Sequence, residues 1–128
     1  MAQPLKVLYV DDEADIRNIV EFALEDEPDI VISICASGQE ALSLVDELQP
    51  DLVLLDVMMP AMDGPTTLQR LRERPMHQKT PVAFVTAKVQ PNEVAFFQSL
   101  GAVGVIAKPF DPMTLADQVR AAWKRHHG

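Results

Sequence analysis

The segment Pro50–Gly64, PDLVLLDVMMPAMDG, contains the features that decide the fold. Its first part, Leu52–Leu55, is a short and nearly continuous apolar run, as expected of a strand that is covered on both faces. The run ends at Asp56, and turn-forming residues follow around Pro60 and at the Asp-Gly pair of residues 63–64. A strand of this kind predicts a parallel sheet with helices on either side.

The same alternation extends in both directions along the chain. Four further short apolar segments, rich in β-branched residues, are typical of strands: Leu5–Val10, Ile30–Cys35, Pro81–Val85 and Val103–Ala107. Between them, and after the last, apolar residues recur at helical spacing. Strand and helix therefore alternate five times. This pattern predicts an α/β fold with a doubly wound, five-stranded parallel sheet and five helices, forming one domain over residues 1–128.

Several residues mark where helices should begin and end. Ser37 and Glu40, three residues apart, predict a capping box at the start of the second helix. A helix from about Asn92 to Leu100 is expected to close at Gly101 in a left-handed conformation. The last helix is expected to begin near Pro112.

Composition and charge exclude several function classes. The net charge of -8 disfavours non-specific nucleic-acid binding. No apolar run approaches the roughly 20 residues of a membrane helix, and the N-terminus lacks the pattern of a signal peptide. A single cysteine, Cys35, excludes an intramolecular disulfide. We therefore expect a soluble, cytoplasmic protein with no membrane contact and no direct nucleic-acid contact.

Polar residues follow four of the five predicted strands. They are Asp11 and Asp12 after the first strand, Asp56 after the third, Thr86 after the fourth and Lys108 after the fifth. In open parallel sheets, ligands bind outside the carboxyl ends of the strands. The fold should therefore bring these five residues together, although they are far apart in sequence.

The chemistry of these residue types points to phosphoryl transfer. Three neighbouring carboxylates repel one another unless a cation is present, and Mg²⁺ prefers such oxygen ligands. Lys108 adds a positive charge, and Thr86 adds a hydroxyl that can donate a hydrogen bond. An aspartate can act as a nucleophile and form an acyl phosphate. Asp56, at the end of the central strand, is the best candidate.

These residues carry a family resemblance that covers nearly the whole chain. The matching pieces are VLYVDDE, PDLVLLDVMMPAMDG, FVTAK and AKPF. They resemble the response-regulator receiver domain, which sensor histidine kinases phosphorylate. The resemblance implies a flavodoxin-like fold with strand order 2-1-3-4-5.

The resemblance also implies a role for each position. Asp56 would be the phosphoacceptor, with Asp12, Asp56 and the backbone carbonyl of Met58 as direct Mg²⁺ ligands and Asp11 holding a metal-bound water. Thr86 would donate a hydrogen bond to the phosphoryl group, and Lys108 would pair with it. The Lys108–Pro109 peptide bond would be cis.

Three positions concern signalling and its tuning. Many receivers carry Tyr or Phe three residues before the lysine, whereas Val105 stands here, so the usual aromatic switch is absent or altered. The signal is expected to pass through the Thr86–Lys88 loop and the helix that follows. Met58 is expected to shield an acyl phosphate from water. Lys88 either attracts the phosphoryl group or extends into solvent.

The function that follows is a phosphorylation-controlled binding module rather than an enzyme, apart from its own phosphorylation and dephosphorylation. The expected partners are a sensor histidine kinase or a histidine phosphotransfer protein, and an unknown downstream protein. The chain would be a stand-alone regulator or a relay intermediate without a DNA-binding domain, unless it is part of a longer protein. Two alternatives are a haloacid-dehalogenase-like phosphohydrolase, which would need an Asp where Met58 stands, and an FMN carrier, which would need a phosphate loop in place of Asp11 and Asp12.

Overall fold

Five parallel strands form one sheet in the computed structural model, which describes residues 3–127 and side chains through residue 125. The strands are β1 Leu5–Val10, β2 Ile30–Cys35, β3 Leu52–Asp56, β4 Val82–Thr86 and β5 Gly104–Ala107. Their order in the sheet is β2-β1-β3-β4-β5. The helices are α1 Ala14–Leu24, α2 Gly38–Leu48, α3 Gly64–Arg72, α4 Pro91–Ser99 and α5 Leu115–His127. The predicted fold class and strand order are confirmed.

The sheet is covered on both faces because successive side chains of a strand point to opposite sides. In β3, Val53 and Leu55 pack in the cluster that includes apolar residues of α2, α3 and α4. Leu52 and Leu54 belong to the opposite cluster, which includes residues of α1 and α5. All five residues of β3 are buried, which explains why its sequence is apolar without alternation.

Helix termini agree with most of the sequence signals but differ in detail. Gly101 has φ +100°, as predicted for the residue that ends α4. The oxygen of Ser37 accepts the Glu40 N–H at 3.1 Å, but the Glu40 carboxylate accepts the N–H of Ala36, at 2.7 Å, rather than that of Ser37. The reciprocal half of the predicted capping box is therefore wrong by one residue.

The last helix begins later than predicted. Residues 112–114 form a turn, and α5 starts at Leu115. The Asp111 carboxylate accepts the Met113 N–H at 2.9 Å, and the Asp111 carbonyl accepts the Thr114 N–H at 3.0 Å. Asp111 therefore caps the turn that leads into the helix, and the regular helix begins three residues after Pro112. Within residues 3–127, no helix is both long and apolar enough to cross a membrane.

Candidate functional site

The carboxyl ends of four strands meet at one edge of the sheet and bring the predicted residues together. Asp56 is the last residue of β3 and is paired with Val85, the neighbour of Thr86. Thr86 ends β4 and is paired with Ala107, the neighbour of Lys108. Asp11 directly follows β1, the strand on the other side of β3. The predicted clustering at this edge is therefore present.

Three carboxylates form the acidic part of the site. Carboxylate oxygens of Asp11, Asp12 and Asp56 all lie within 4.8 Å of one another. Asp11 and Asp56 are buried, whereas Asp12 is exposed. Hard, oxygen-only ligands at this spacing suit a small divalent cation such as Mg²⁺, so the residues fit the metal that the sequence suggested.

Lys108 is the cation of the site. Its Nζ lies 2.9 Å from Asp11 Oδ2 and 3.1 Å from Asp56 Oδ1, so that it joins the two buried carboxylates. Glu13 is the outer neighbour, with its Oε1 3.8 Å from the same nitrogen. Burial would by itself lower the pKa of Lys108, but the hydrogen bonds to Asp11 and Asp56 outweigh burial and leave that pKa raised.

The surroundings of Asp56 disfavour the ionised form of its carboxyl group. Burial raises its pKa, Lys108 opposes the rise, and the nearby charge of Asp11 adds to it, with a net increase to about 6. The negative charge of Asp56 is therefore costly with Lys108 as the one neighbouring cation among the groups that shift its pKa. A second cation at this site would lower that cost.

Thr86 and Lys88 form the start of the loop that leads to α4. The Thr86 side chain is buried, and its Oγ1 accepts the backbone N–H of Lys88 at 3.0 Å. The hydroxyl proton of Thr86 is not used in that contact. The side chain of Lys88 is exposed, and whether it attracts a phosphoryl group stays a prediction.

The loop after Asp56 is held close to the strand end. The Gly64 N–H donates to the Val57 carbonyl at 2.9 Å, and the Asp63 carboxylate caps α3 by accepting the Thr66 N–H at 2.8 Å. A Cβ on Gly64 would lie 2.5 Å from the Asp56 carbonyl oxygen. Glycine is therefore required here by close backbone approach. The Met58 side chain is 68% exposed beside the site.

Tyr9 belongs to the site but was not among the predicted residues. It is fully buried in β1, and its hydroxyl donates to Asp11 Oδ2 at 2.7 Å. Burial, and then the hydrogen bond to Asp11, raises the pKa of Tyr9 above its usual range, so the hydroxyl stays protonated. The spacing of Tyr9 and Asp11 could have indicated this contact, because residues two apart in an extended chain face the same side.

Val105 lies within β5, and Pro109 follows the end of that strand. Val105 is half-buried, lies opposite Phe84 in the sheet register and packs against the α2, α3 and α4 side of the core. The Lys108–Pro109 peptide bond is cis, as the resemblance implied.

The sequence of this chain is similar to a known protein family and to curated proteins. The family model described as the response regulator receiver domain matches residues 7–120. The chain is 38% identical over 120 residues to the response regulator Rre1 of Synechocystis sp., covering 94% of this chain and 52% of Rre1. It therefore spans about half the length of that curated relative.

Solved structures show the same architecture. Chemotaxis protein CheY4 of Vibrio cholerae has 31% identity and a TM-score of 0.85, with 93% of this chain and 98% of that chain covered. The signal receiver domain of a signal transduction histidine kinase from Syntrophus aciditrophicus has 28% identity and a TM-score of 0.78, with 93% and 89% covered. With the family model matching most of its length, this chain belongs to the response regulator receiver domain family of two-component signalling.

Proposed function

We propose that this receiver accepts a phosphoryl group on the carboxylate of Asp56. The observation that carries the proposal is the position of Asp56: buried at the end of the central strand, 3.1 Å from Lys108 and grouped with two further carboxylates. The chain belongs to a signalling family, which argues against both the phosphohydrolase and the flavin-carrier alternatives.

The environment of each carboxylate favours Asp56 over Asp11 as the nucleophile. Asp11 Oδ2 accepts hydrogen bonds from Tyr9 and Lys108, and its Oδ1 accepts the Glu13 N–H at 3.0 Å. Hydrogen bonds to both oxygens withdraw electron density and hold the group in place.

In the proposed step, an oxygen of Asp56 attacks phosphorus of a phosphohistidine. The P–O bond forms as the P–N bond breaks, and the imidazole leaves with the electron pair. Asp11, Asp12, Asp56 and the backbone carbonyl of Met58 would hold Mg²⁺, which when bound neutralises charge on the phosphoryl oxygens. Lys108 pairs with one phosphoryl oxygen, and the Thr86 hydroxyl donates to another.

A groove beside the site supports a histidine-bearing partner, either a sensor kinase or a histidine phosphotransfer protein. The groove has a volume of about 390 Å³ and lies between α1 and the loop after β5, with Ile16, Ile19, Phe110 and Lys108 among its lining residues. Phe22, three residues beyond Ile19 on α1, is 71% exposed. An apolar surface that reaches the acceptor site suits a helical partner that brings its histidine to Asp56.

The proposal is tested by intact mass measurement after incubation with acetyl phosphate and Mg²⁺. Wild type should gain the mass of one phosphoryl group, and Asp56→Asn should gain none. A wild type that gains no phosphoryl mass, or a variant that gains it equally, would overturn the proposal.

Four further expectations stay predictions. They are a single domain over residues 1–128, a stand-alone or relay role, a cytoplasmic location and an unknown downstream partner.

Replacing Met58 should shorten the lifetime of the phosphorylated state. In our proposal the apolar side chain lies over the acyl phosphate and excludes water, whereas an amide at this position could hold water for attack. We expect Met58→Asn to lose the phosphoryl group severalfold faster, measured by intact mass over time. Met76→Asn is the matched control, since Met76 is also exposed but lies before β4, at the opposite end of the sheet. An unchanged or longer lifetime for Met58→Asn would refute the shielding role.

Output is proposed to run through α4 rather than through an aromatic residue on β5. Phe84 lies in β4 two residues before Thr86, and its ring centroid is 5.1 Å from that of Phe97 in α4. Phe97 in turn lies 5.7 Å from Phe96, which is 55% exposed. This row of rings connects the end of β4 to the surface, on the side of the core where Val105 packs.

Replacing Phe97 should uncouple α4 from phosphorylation. We expect hydrogen exchange of α4 amides to change on phosphorylation of wild type and to change much less in Phe97→Leu, because the shorter side chain breaks the row of rings. Phe110→Leu is the control, since Phe110 packs against the opposite core cluster. Equal exchange responses in Phe97→Leu and wild type would rule out this route.

A further inference from the structure

Asp11 is a fully buried carboxylate with three donors around it. The Tyr9 hydroxyl, at 2.7 Å, and Lys108 Nζ, at 2.9 Å, both donate to Oδ2. The Glu13 N–H donates to Oδ1 at 3.0 Å. An ionised carboxylate without solvent depends on such donors, and those that pair with charge contribute most.

Lys108 must serve two purposes at this site. In the structure it pairs with Asp11 and Asp56 together. When a phosphoryl group is attached to Asp56, the amine is needed by the phosphoryl oxygens. Each move of Lys108 away from Asp11 removes a donor from a buried charge, and Tyr9 is the donor that shares the same oxygen.

We propose that Tyr9 is a positioning residue whose hydroxyl holds Asp11, so that Lys108 is released toward the phosphoryl group on Asp56. This inference rests on the proposed function. Tyr9 touches neither Asp56 nor the phosphoryl group in this account, and it acts only through Asp11. Its ring packs among apolar residues of the α1 and α5 side of the core, so the ring and the hydroxyl have separate roles.

The test compares phosphorylation rates of wild type and Tyr9→Phe with acetyl phosphate and Mg²⁺. Without the hydroxyl, Asp11 depends more on Lys108, and we expect the rate to fall roughly tenfold or more, the effect of losing about one charge-assisted hydrogen bond. The Asp11→Asn background itself reacts more slowly, because Asp11 helps to hold Mg²⁺. In that background the same substitution should change the remaining rate little, because a neutral amide competes weakly for the lysine. A packing defect would give the same loss in both backgrounds, and that result would overturn the proposal.

A second measurement needs no variant. The chain has one tyrosine, so the tyrosine bands in an ultraviolet resonance Raman spectrum report this contact alone. We expect the signature of a strong hydroxyl donor in metal-free wild type and its persistence in the phosphorylated protein. A weak donor in either state would overturn the inference.

These experiments distinguish a failure of the proposed function from a failure of the role of Tyr9. If wild type gains no phosphoryl group, the proposed function fails. If wild type is phosphorylated and Tyr9→Phe reacts at the same rate, only the role of Tyr9 fails.

Discussion

Asp56→Asn should abolish phosphorylation and, without divalent cations, make the protein more stable than wild type above pH 7. The first effect follows because an amide is not a nucleophile for phosphorus. The second follows from the raised pKa of Asp56, which the folded protein shifts to about 6 from an ordinary value near 3.8. Asparagine has nearly the same shape and no charge.

The pH dependence has a definite sign. Below pH 4 Asp56 is protonated in both folded and unfolded chains and the variant gains little. Between about pH 4 and 6 the folded protein keeps a proton that the unfolded chain releases, so wild-type stability falls as the pH rises. Above pH 6 the free energy of unfolding of the variant exceeds that of wild type by about 2 to 3 kcal/mol, and this difference no longer grows with pH.

Urea unfolding at pH 4.5 and pH 8, with a chelator present, measures this difference. Asp26→Asn serves as the control, since Asp26 is exposed just beyond α1. Added Mg²⁺ should stabilise wild type and leave Asp56→Asn nearly unchanged, because binding to the folded state alone raises stability. A variant that is less stable than wild type at pH 8 would contradict this description of the site.

Lys108→Met should destabilise the protein strongly. It leaves the Asp11 and Asp56 carboxylates without their shared cation, and removing one partner of a buried charge group costs about 3 kcal/mol. The loss should be smaller at low pH, where Asp56 takes up a proton. Methionine keeps most of the side-chain volume, so the effect reports charge.

The matched control for Lys108→Met is Lys88→Met, in which an exposed lysine is replaced in the same way. We expect a change within about 0.5 kcal/mol for this variant, as for most surface positions. Mg²⁺ should restore much of the stability that Lys108→Met loses, because it replaces the missing positive charge. Equal unfolding free energies for the two lysine variants would show that Lys108 is not the cation that holds the buried carboxylates.

The location of the site could be predicted from sequence because one topological rule determines it. Once Leu52–Leu55 is recognised as a fully buried parallel strand, the carboxyl ends of its neighbours must lie at the same edge. Asp11, Asp56 and Lys108 were placed together in this way. Their grouping required no knowledge of side-chain conformation.

The contacts that were not predicted depend on local choices between equivalent partners. The sequence indicates that Tyr9 is a core residue, and only the direction of its ring brings its hydroxyl within hydrogen-bond distance of Asp11. The Glu40 carboxylate accepts the N–H of Ala36 instead of that of the next residue, Ser37. The start of α5 depends on hydrogen bonds from the turn after Asp111. Such choices are decided by packing that sequence periodicity does not describe.

The most direct test of the central claim identifies the modified residue chemically. Wild type is phosphorylated with acetyl phosphate and Mg²⁺, reduced with borohydride, and digested for peptide mass mapping. Hydride displaces phosphate from an acyl phosphate and reduces that carboxyl to an alcohol, which converts the modified aspartate to homoserine. We expect homoserine at position 56 alone. Homoserine at Asp11 or Asp12, or none at position 56, would contradict it.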